Sequence, residues 1–210
     1  IYIPRARTRF EAINKLNLLI KYKSAFSTNL HRKVVFEKVG LFDENLRLKE
    51  DIEFLWRALK YFDVKLMPIN SIRRRNPSDS LSNSAQYKEN VASWVYVMNK
   101  LCKIYPLEEE IKEIDSKVEL GMQHFYWGRC LLMELPIKEL YPVIREEFLI
   151  TTKFLPNFAP AYLFLAFVEK LMGLTYASEE HFKLALKKFK SINEIQKWLE
   201  TLKFQQFNRL

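Results

Sequence analysis

The stretch GLFDENLRLKED, residues 40–51, joins the end of one predicted helix to the start of the clearest helix in the first half of the chain. Residues 32–39 have helical spacing, and Gly40 follows them as a stop signal. In residues 50–62 the apolar side chains recur at helical spacing and make one face. That face consists of Ile52, Leu55, Trp56, Leu59 and Phe62. We therefore predict a helix, a loop over residues 41–47, and a second helix that opens with Glu50 and Asp51.

The acidic pair Glu50-Asp51 has an ordinary structural explanation. Free N–H groups and the helix dipole stabilise negative charge in a first turn, so spacing alone favours capping. Glu53 and Arg57 are four residues apart and predict a surface ion pair worth about 0.3–0.5 kcal/mol. Trp56 belongs to the apolar face and is predicted to lie in the core. Periodicity by itself therefore assigns no catalytic role to this helix.

The order of segments around the acidic pair carries more information. The string FSTNLHRKVVFEKVGLFDE at residues 26–44 is followed by Glu50-Asp51, by LWRAL at residues 55–59, and by a basic, serine-containing segment at residues 73–82. This order resembles the C-terminal half of family 2 glycosyltransferases, which have the GT-A fold. The resemblance covers about residues 20–85.

The resemblance implies an inverting transfer of a sugar from a nucleotide-sugar donor to a hydroxyl of a glycan or protein acceptor, as in polysaccharide biosynthesis. It implies that Asp51 is the general base and that Glu50 helps to position the acceptor. General-base help of this kind is typically worth about 10²–10⁴ in rate. The implied substrate-binding residues are Asn29, Arg57, Arg74, Arg75, Ser78 and Ser80.

Relatives of this kind hold the donor diphosphate through a metal motif, Asp-x-Asp, in their N-terminal half. No Asp-x-Asp occurs in these 210 residues. The resemblance thus implies a divalent metal, Mg²⁺ or Mn²⁺, for the full-length enzyme and none bound by this chain alone. Asn76 stands where a histidine often sits in the family, and an asparagine is a poorer metal ligand. We expect a fragment of a longer enzyme, or a remnant, that is inactive by itself.

The second half of the chain is predicted to be helical from about residue 81, with breaks at prolines and at Gly173. The string PNFAPAY at residues 156–162, with Gly173 and Ala185, resembles a tetratricopeptide-type helical hairpin. Ser178 takes the place of a small alanine in that pattern, and a weaker preceding unit covers about residues 123–156. Such a tail implies a protein partner. The predicted helices cover residues 81–104, 108–133, 138–154, 159–172, 176–189 and 192–206.

The predicted fold class is α+β and predominantly helical, with a partial GT-A α/β segment followed by an all-α helical-hairpin region. Residues 1–100 form the glycosyltransferase-like domain and residues 101–210 the helical tail. Short strands are predicted at residues 25–30, 64–68 and 71–75. In the basic N-terminal segment Arg5, Arg7 and Arg9 alternate, so they point to one side if the chain there is extended.

The net charge of +9 is confined to one half of the chain. Residues 1–100 carry 19 basic and 10 acidic residues, whereas residues 101–210 carry 15 of each. This asymmetry suggests an anionic partner such as a diphosphate, a nucleic acid or a lipid surface. Nucleic acid is disfavoured because no helix has a basic stripe and no aromatic RNA-binding motif is present.

Other features narrow the class of protein. Cys102 and Cys130 have no spacing typical of zinc or disulfide sites and are predicted to be reduced. His124 and His181 lie on different predicted helices, which argues against a metal site there. No transmembrane segment or signal peptide is visible, so we expect a cytoplasmic protein, or one peripheral to the inner membrane surface. The alternative function is a non-catalytic helical adaptor that carries a degenerate glycosyltransferase remnant.

Overall fold

A computed structural model of the chain describes residues 1–21, 28–67, 87–135 and 137–207. The chain forms two compact units, Ile1–Glu113 and Ile114–Leu210. The described chain is predominantly helical, as the sequence predicts. Among the described residues the only sheet is two-stranded, so the GT-A part of the predicted fold class stays a prediction.

The first unit combines a short sheet with helices. Its two strands pair in antiparallel fashion, with Ile3 opposite Val64. The predicted strand at residues 64–68 is therefore shorter than expected. Residues 28–30 are not a strand, and residues 22–27 and 71–75 lie outside the described residues. In chain order its elements are β1 (Tyr2–Ile3), α1 (Arg9–Lys21), α2 (Lys33–Val39), α3 (Glu50–Tyr61), β2 (Val64–Lys65), α4 (Tyr87–Ile104) and α5 (Leu107–Glu113).

Helix α3 is at the centre of the core of the first unit. Phe54, Trp56 and Leu59 are each no more than 1% exposed, which confirms the predicted core position of Trp56. The hydroxyl of Tyr105, just after α4, donates a hydrogen bond of 3.0 Å to the carbonyl of Trp56. The apolar face predicted from spacing thus fixes α3 between its neighbouring helices.

Helix α1 was not predicted, and the extended reading of the N-terminal arginines is wrong at Arg9. Thr8 and Glu11 make a capping box signature, and the Thr8 hydroxyl accepts a hydrogen bond from the backbone N–H of Glu11 at 3.2 Å. Arg9 opens the helix and is 5% exposed. Its Nε donates to Oε1 of the buried Glu110 at 3.1 Å.

The unit boundary falls later than the predicted one at residue 100, because α5 packs within the first unit. Besides the Arg9–Glu110 pair, Arg5 donates to Glu113 at 2.9 Å. Lys60 of α3 lies 2.6 Å from Glu109. Three carboxylates of α5 therefore attach it to the first unit.

The second unit contains the predicted helical hairpins. A single helix over residues 108–133 is wrong, because the chain breaks before Ser116, whose hydroxyl accepts from the backbone N–H of Glu119 at 3.2 Å and so caps a new helix. The elements are α6 (Lys117–Glu134), a 3₁₀ turn (Lys138–Leu140), α7 (Tyr141–Phe154), α8 (Ala159–Leu171), α9 (Thr175–Lys188) and α10 (Ile192–Phe207).

Small residues let the helices of the second unit approach one another. Ser178 of α9 is buried, and its hydroxyl donates to the carbonyl of Ala166 in α8 at 2.8 Å. Gly173 makes the turn between these helices with φ +78°, a backbone conformation that favours glycine. In α6, a Cβ added at Gly128 would lie 3.1 Å from the Cβ of Glu147 in α7.

Two histidines of the second unit pair with buried glutamates across helices. Nδ1 of His124 lies 2.6 Å from Oε2 of Glu147, and both side chains are almost fully buried. Nδ1 of His181 lies 2.7 Å from Oε2 of Glu169, whose other oxygen accepts from Nε of Arg145 at 3.0 Å. The His124–Glu147 pair links α6 to α7. Glu169 of α8 is linked to α7 through Arg145 and to α9 through His181.

Candidate functional site

The candidate site is the N-terminal turn of α3, where Glu50 and Asp51 lie. Lys49 precedes them in the left-handed conformation, with φ 67°. Glu50 and Asp51 are both half-buried, and one carboxylate oxygen of Asp51 accepts a hydrogen bond from the backbone N–H of Ile52 at 2.8 Å. Within the described part of the chain neither carboxylate has an ion-pair partner. Within the described residues, the turn therefore presents two adjacent carboxylates without a paired cation.

Arg57, two turns further along α3, fastens the glycine-containing turn onto the helix. Its Nε and Nη2 each donate to one carboxylate oxygen of Glu53 at 2.8 Å. Nη2 also donates to the carbonyl of Leu41 at 2.7 Å, and Nη1 donates to the carbonyl of Val39. The predicted pair between Glu53 and Arg57 is present, but its surface location is wrong, because the Glu53 side chain is completely buried. A bidentate pair of this kind fixes geometry as well as charge.

Lys100 of α4 extends this pair into a network. Its ammonium lies 2.8 Å from Glu53 and donates to Oδ2 of Asp43 at 2.6 Å. The same oxygen of Asp43 accepts from the hydroxyl of Tyr96 at 2.8 Å. The other oxygen accepts from the backbone N–H and the side-chain amide of Asn45, at 3.0 and 2.9 Å. The loop between α2 and α3 is thereby held to α4 as well as to α3.

The network changes the titration of its members. The hydrogen bond from Lys100 holds the pKa of Asp43 well below its ordinary value, and the bonds from Tyr96 and Asn45 act in the same direction. Burial alone would lower the pKa of Lys100, but the hydrogen bonds to Asp43 and Glu53 outweigh it and raise that pKa. The carboxylate and the ammonium are therefore both charged at neutral pH.

An aromatic cluster packs against the same end of α3. The ring of Phe54 lies 5.3 Å from His31, 5.1 Å from Phe36 and 5.0 Å from Phe42, measured between centroids. Burial lowers the pKa of His31, which is half-buried. The segments before and after α2 thus meet on one ring, three residues beyond Asp51.

The predicted site residues are only partly described. Glu50, Asp51 and Arg57 share α3, and the seven-residue spacing puts Glu50 and Arg57 on one side of the helix. Asn29 is half-buried in the segment before α2, and its substrate contact stays a prediction, as does that of Arg57. The remaining members lie outside the described residues: Arg74, Arg75, Asn76, Ser78 and Ser80.

Sequence reasoning missed the network partners of Arg57. Asp43 is 53 residues from Tyr96 and 57 residues from Lys100 in the chain. The one available signal was Asp43 with Asn45, because an aspartate two residues before an asparagine is typical of a side chain that binds its own loop backbone. That signal predicts an ordered loop but not its partner helix.

The divalent metal that the resemblance implies would need a group of oxygen or nitrogen ligands. In residues 1–21, 28–67, 87–135 and 137–207, no group of three or more His, Cys, Asp or Glu side chains could hold a metal ion. Glu50 and Asp51 have no third ligand within that part of the chain. Over the same residues, no helix is long and apolar enough to cross a membrane.

Comparison of the chain with protein-family models, with curated proteins and with solved structures gives no match. The resemblance to family 2 glycosyltransferases therefore stays a prediction that rests on the residues between Asn29 and Ser82. The chemistry of the site is therefore inferred from the residues around α3 alone.

Proposed function

We propose that the first unit carries the acceptor side of an inverting glycosyltransferase site, with Asp51 as the general base. One observation supports this above the others. The carboxylates of Glu53 and Asp43 pair with Arg57 and Lys100, whereas those of Glu50-Asp51, at the half-buried start of α3, form no ion pair within the described residues. A general base must keep a lone pair available to an incoming hydroxyl.

The proposed reaction assigns each group a separate task. The acceptor hydroxyl oxygen attacks the anomeric carbon, the bond from that carbon to the diphosphate oxygen breaks, and the hydroxyl proton passes to Asp51. Glu50 accepts a hydrogen bond from a second acceptor hydroxyl and orients the sugar. The diphosphate leaves with the electron pair of the broken bond. Arg57 acts as a positioning residue, because it fixes the loop beside the first turn of α3.

The decisive experiment is a transfer assay with the native-length protein that contains this sequence. It would be incubated with uridine, guanosine and thymidine diphosphate sugars and a mixture of glycan acceptors, with release of nucleoside diphosphate as the readout. Asp51→Asn should lower turnover by about 10²–10⁴ while leaving donor affinity nearly unchanged. Asp115→Asn is the matched control, because Asp115 is exposed and belongs to the second unit.

Two results would overturn the proposal. Full turnover by Asp51→Asn would show that Asp51 is not the general base. Absence of nucleoside diphosphate release from every donor, with a folded native-length protein, would remove the activity itself. Loss of donor affinity together with turnover would instead mean that Asp51 serves the donor side.

A second candidate function is a helical adaptor, and one observation favours it. Phe182 and Leu186 of α9 are four residues apart on one side of the helix and are 38% and 43% exposed. Neighbouring apolar side chains at this spacing are a common anchor for a partner helix. Cross-linking of the native-length protein in cells should then place partner peptides on this side, and Phe182→Ser/Leu186→Ser should remove them. Cross-links that persist in the double variant would exclude this role.

A further inference from the structure

The segment around α2 exposes aliphatic side chains beside cations. Leu30 is 91% exposed, Leu41 is 73% exposed, and Val34 on α2 is 48% exposed. Single exposed aliphatic residues are common in proteins, but side chains this open are informative when they lie together and share a chemical setting. We call Leu30, Val34 and Leu41, with Arg32, Lys33 and Lys38, the α2 surface.

The aromatic cluster brings the two leucines to the same end of the first unit. His31 and Phe42 both pack on the ring of Phe54, at 5.3 and 5.0 Å between centroids. Leu30 and Leu41 are the chain neighbours of these two residues. Leu30 and Leu41 therefore each adjoin in the chain a residue that packs on Phe54, although they are 11 positions apart in sequence.

The exposed side of α2 is basic. Val35 is buried, and Phe36 and Val39 pack with it against the core, so Lys33, Val34 and Lys38 remain on the outside. Residues 30–42 carry three cations, Arg32, Lys33 and Lys38, and a single carboxylate, Glu37. The carboxylate of Glu37 lies 3.4 Å from the ammonium of Lys33, and the Lys33 side chain is 91% exposed. The net positive charge of the segment is thus presented to solvent.

We propose that the α2 surface docks on an anionic phospholipid bilayer. Exposed aliphatic side chains beside lysines and arginines match the interface of such a membrane, where apolar groups enter the acyl boundary and cations remain at the headgroups. The charge decides for this partner over a second copy of the chain, because two identical basic surfaces repel each other. The inference does not rest on the proposed activity.

The test is co-sedimentation of the full chain with vesicles. Vesicles of equal parts phosphatidylcholine and phosphatidylglycerol should bind the chain at least about tenfold more tightly than phosphatidylcholine alone. Added salt should weaken that binding, because the attraction is screened. Leu30→Ser/Leu41→Ser should weaken it about tenfold or more, since two apolar side chains lose their burial in the interface. Arg32→Gln/Lys33→Gln should also weaken it about tenfold.

Matched controls separate the α2 surface from general stickiness. Ile192→Ser removes an aliphatic side chain that is 72% exposed in the second unit, and Lys187→Gln/Lys190→Gln removes two exposed cations there. Both should bind like the unsubstituted chain. Equal loss in the controls, or no preference for anionic vesicles, would overturn the proposal. So would a dimer in sedimentation velocity that Leu30→Ser/Leu41→Ser converts to a monomer, because a second copy would then cover the surface.

Discussion

In the first unit the buried carboxylate of Glu53 faces Arg57 and Lys100, whereas in the second unit the buried carboxylate of Glu147 faces His124. A guanidinium and an ammonium keep their charge at neutral pH, but an imidazole is charged only when it is protonated. Glu53 of the first unit is therefore part of a permanent ionic network, whereas the pair of Glu147 with His124 in the second unit is ionic only when the imidazole is protonated. Only the permanent network adjoins the candidate site, where it fixes the loop beside an acidic turn.

The largest effect is expected from breaking the permanent network. Arg57→Met removes the guanidinium from the completely buried Glu53 and from the carbonyl of Leu41. Removal of one partner of a buried ion pair typically costs about 3–5 kcal/mol, because the remaining charge loses its compensation. Lys100 remains near Glu53, so the lower end of that range is expected. Hydrogen exchange of peptides from α3 would report the free energy of opening.

The control for that experiment is Lys183→Met in the second unit. Lys183 pairs with Glu180 at 2.8 Å, but both side chains are largely exposed, so no measurable change is expected. Equal protection of α3 in Arg57→Met and in the unsubstituted chain would show that the network is not what holds the loop to the helix.

An intermediate effect is expected in the second unit, and the two histidines should differ. His124→Leu takes a hydrogen bond of 2.6 Å from the fully buried Glu147, which should cost about 2–3 kcal/mol. His181→Leu is the matched control, because Glu169 keeps its bond to Arg145 and His181 is 23% exposed. Its cost should be about 1 kcal/mol. Urea unfolding of both variants, with hydrogen exchange of α7 and α8 peptides, measures the two losses of unfolding free energy. A larger loss for His181→Leu than for His124→Leu would contradict the prediction.

Local patterns predicted α2, α3 and the hairpin of α8 and α9, because each has an apolar face at helical spacing and a recognisable stop. They missed α1 for a physical reason. Its alternating arginines are compatible with an extended segment. Arg9 is instead buried and hydrogen-bonded to Glu110, which lies 101 residues away in the chain. The capping signature of Thr8 and Glu11 was the available clue. Long-range pairs of this kind leave no trace in a local pattern.

The candidate site was predictable to a similar extent. The position of Glu50-Asp51 in a first turn follows from spacing and is confirmed. The burial of Glu53 cannot be predicted from spacing. One of its two cations is Lys100, which lies on a helix 47 residues later in the chain. The sequence therefore locates the acidic turn, whereas only the fold shows that Glu53 is buried and paired with Arg57 and Lys100.

The smallest expected effect concerns pH and again separates the units. The pKa of Asp43 is held below its ordinary value by Lys100, Tyr96 and Asn45, so the unfolded chain binds a proton at higher pH than the folded one. The stabilisation from Asp43 is therefore complete above about pH 5 and is lost as the pH falls through about 3.9 towards the lower pKa of the folded state. Asp43→Asn should cost about 1 kcal/mol at pH 7 and give a flatter profile below pH 5.

The measurement is the unfolding free energy of the first unit against pH, read by hydrogen exchange of α3 and α4 peptides. Asp115→Asn is the control and should run parallel to the unsubstituted chain, because Asp115 is exposed in the second unit. A profile for Asp43→Asn that stays parallel to the unsubstituted chain down to pH 3 would mean that Lys100 does not discriminate between the ionised and neutral carboxyl. Convergence of the two profiles at low pH would show that the network is ionic and intact throughout the neutral range.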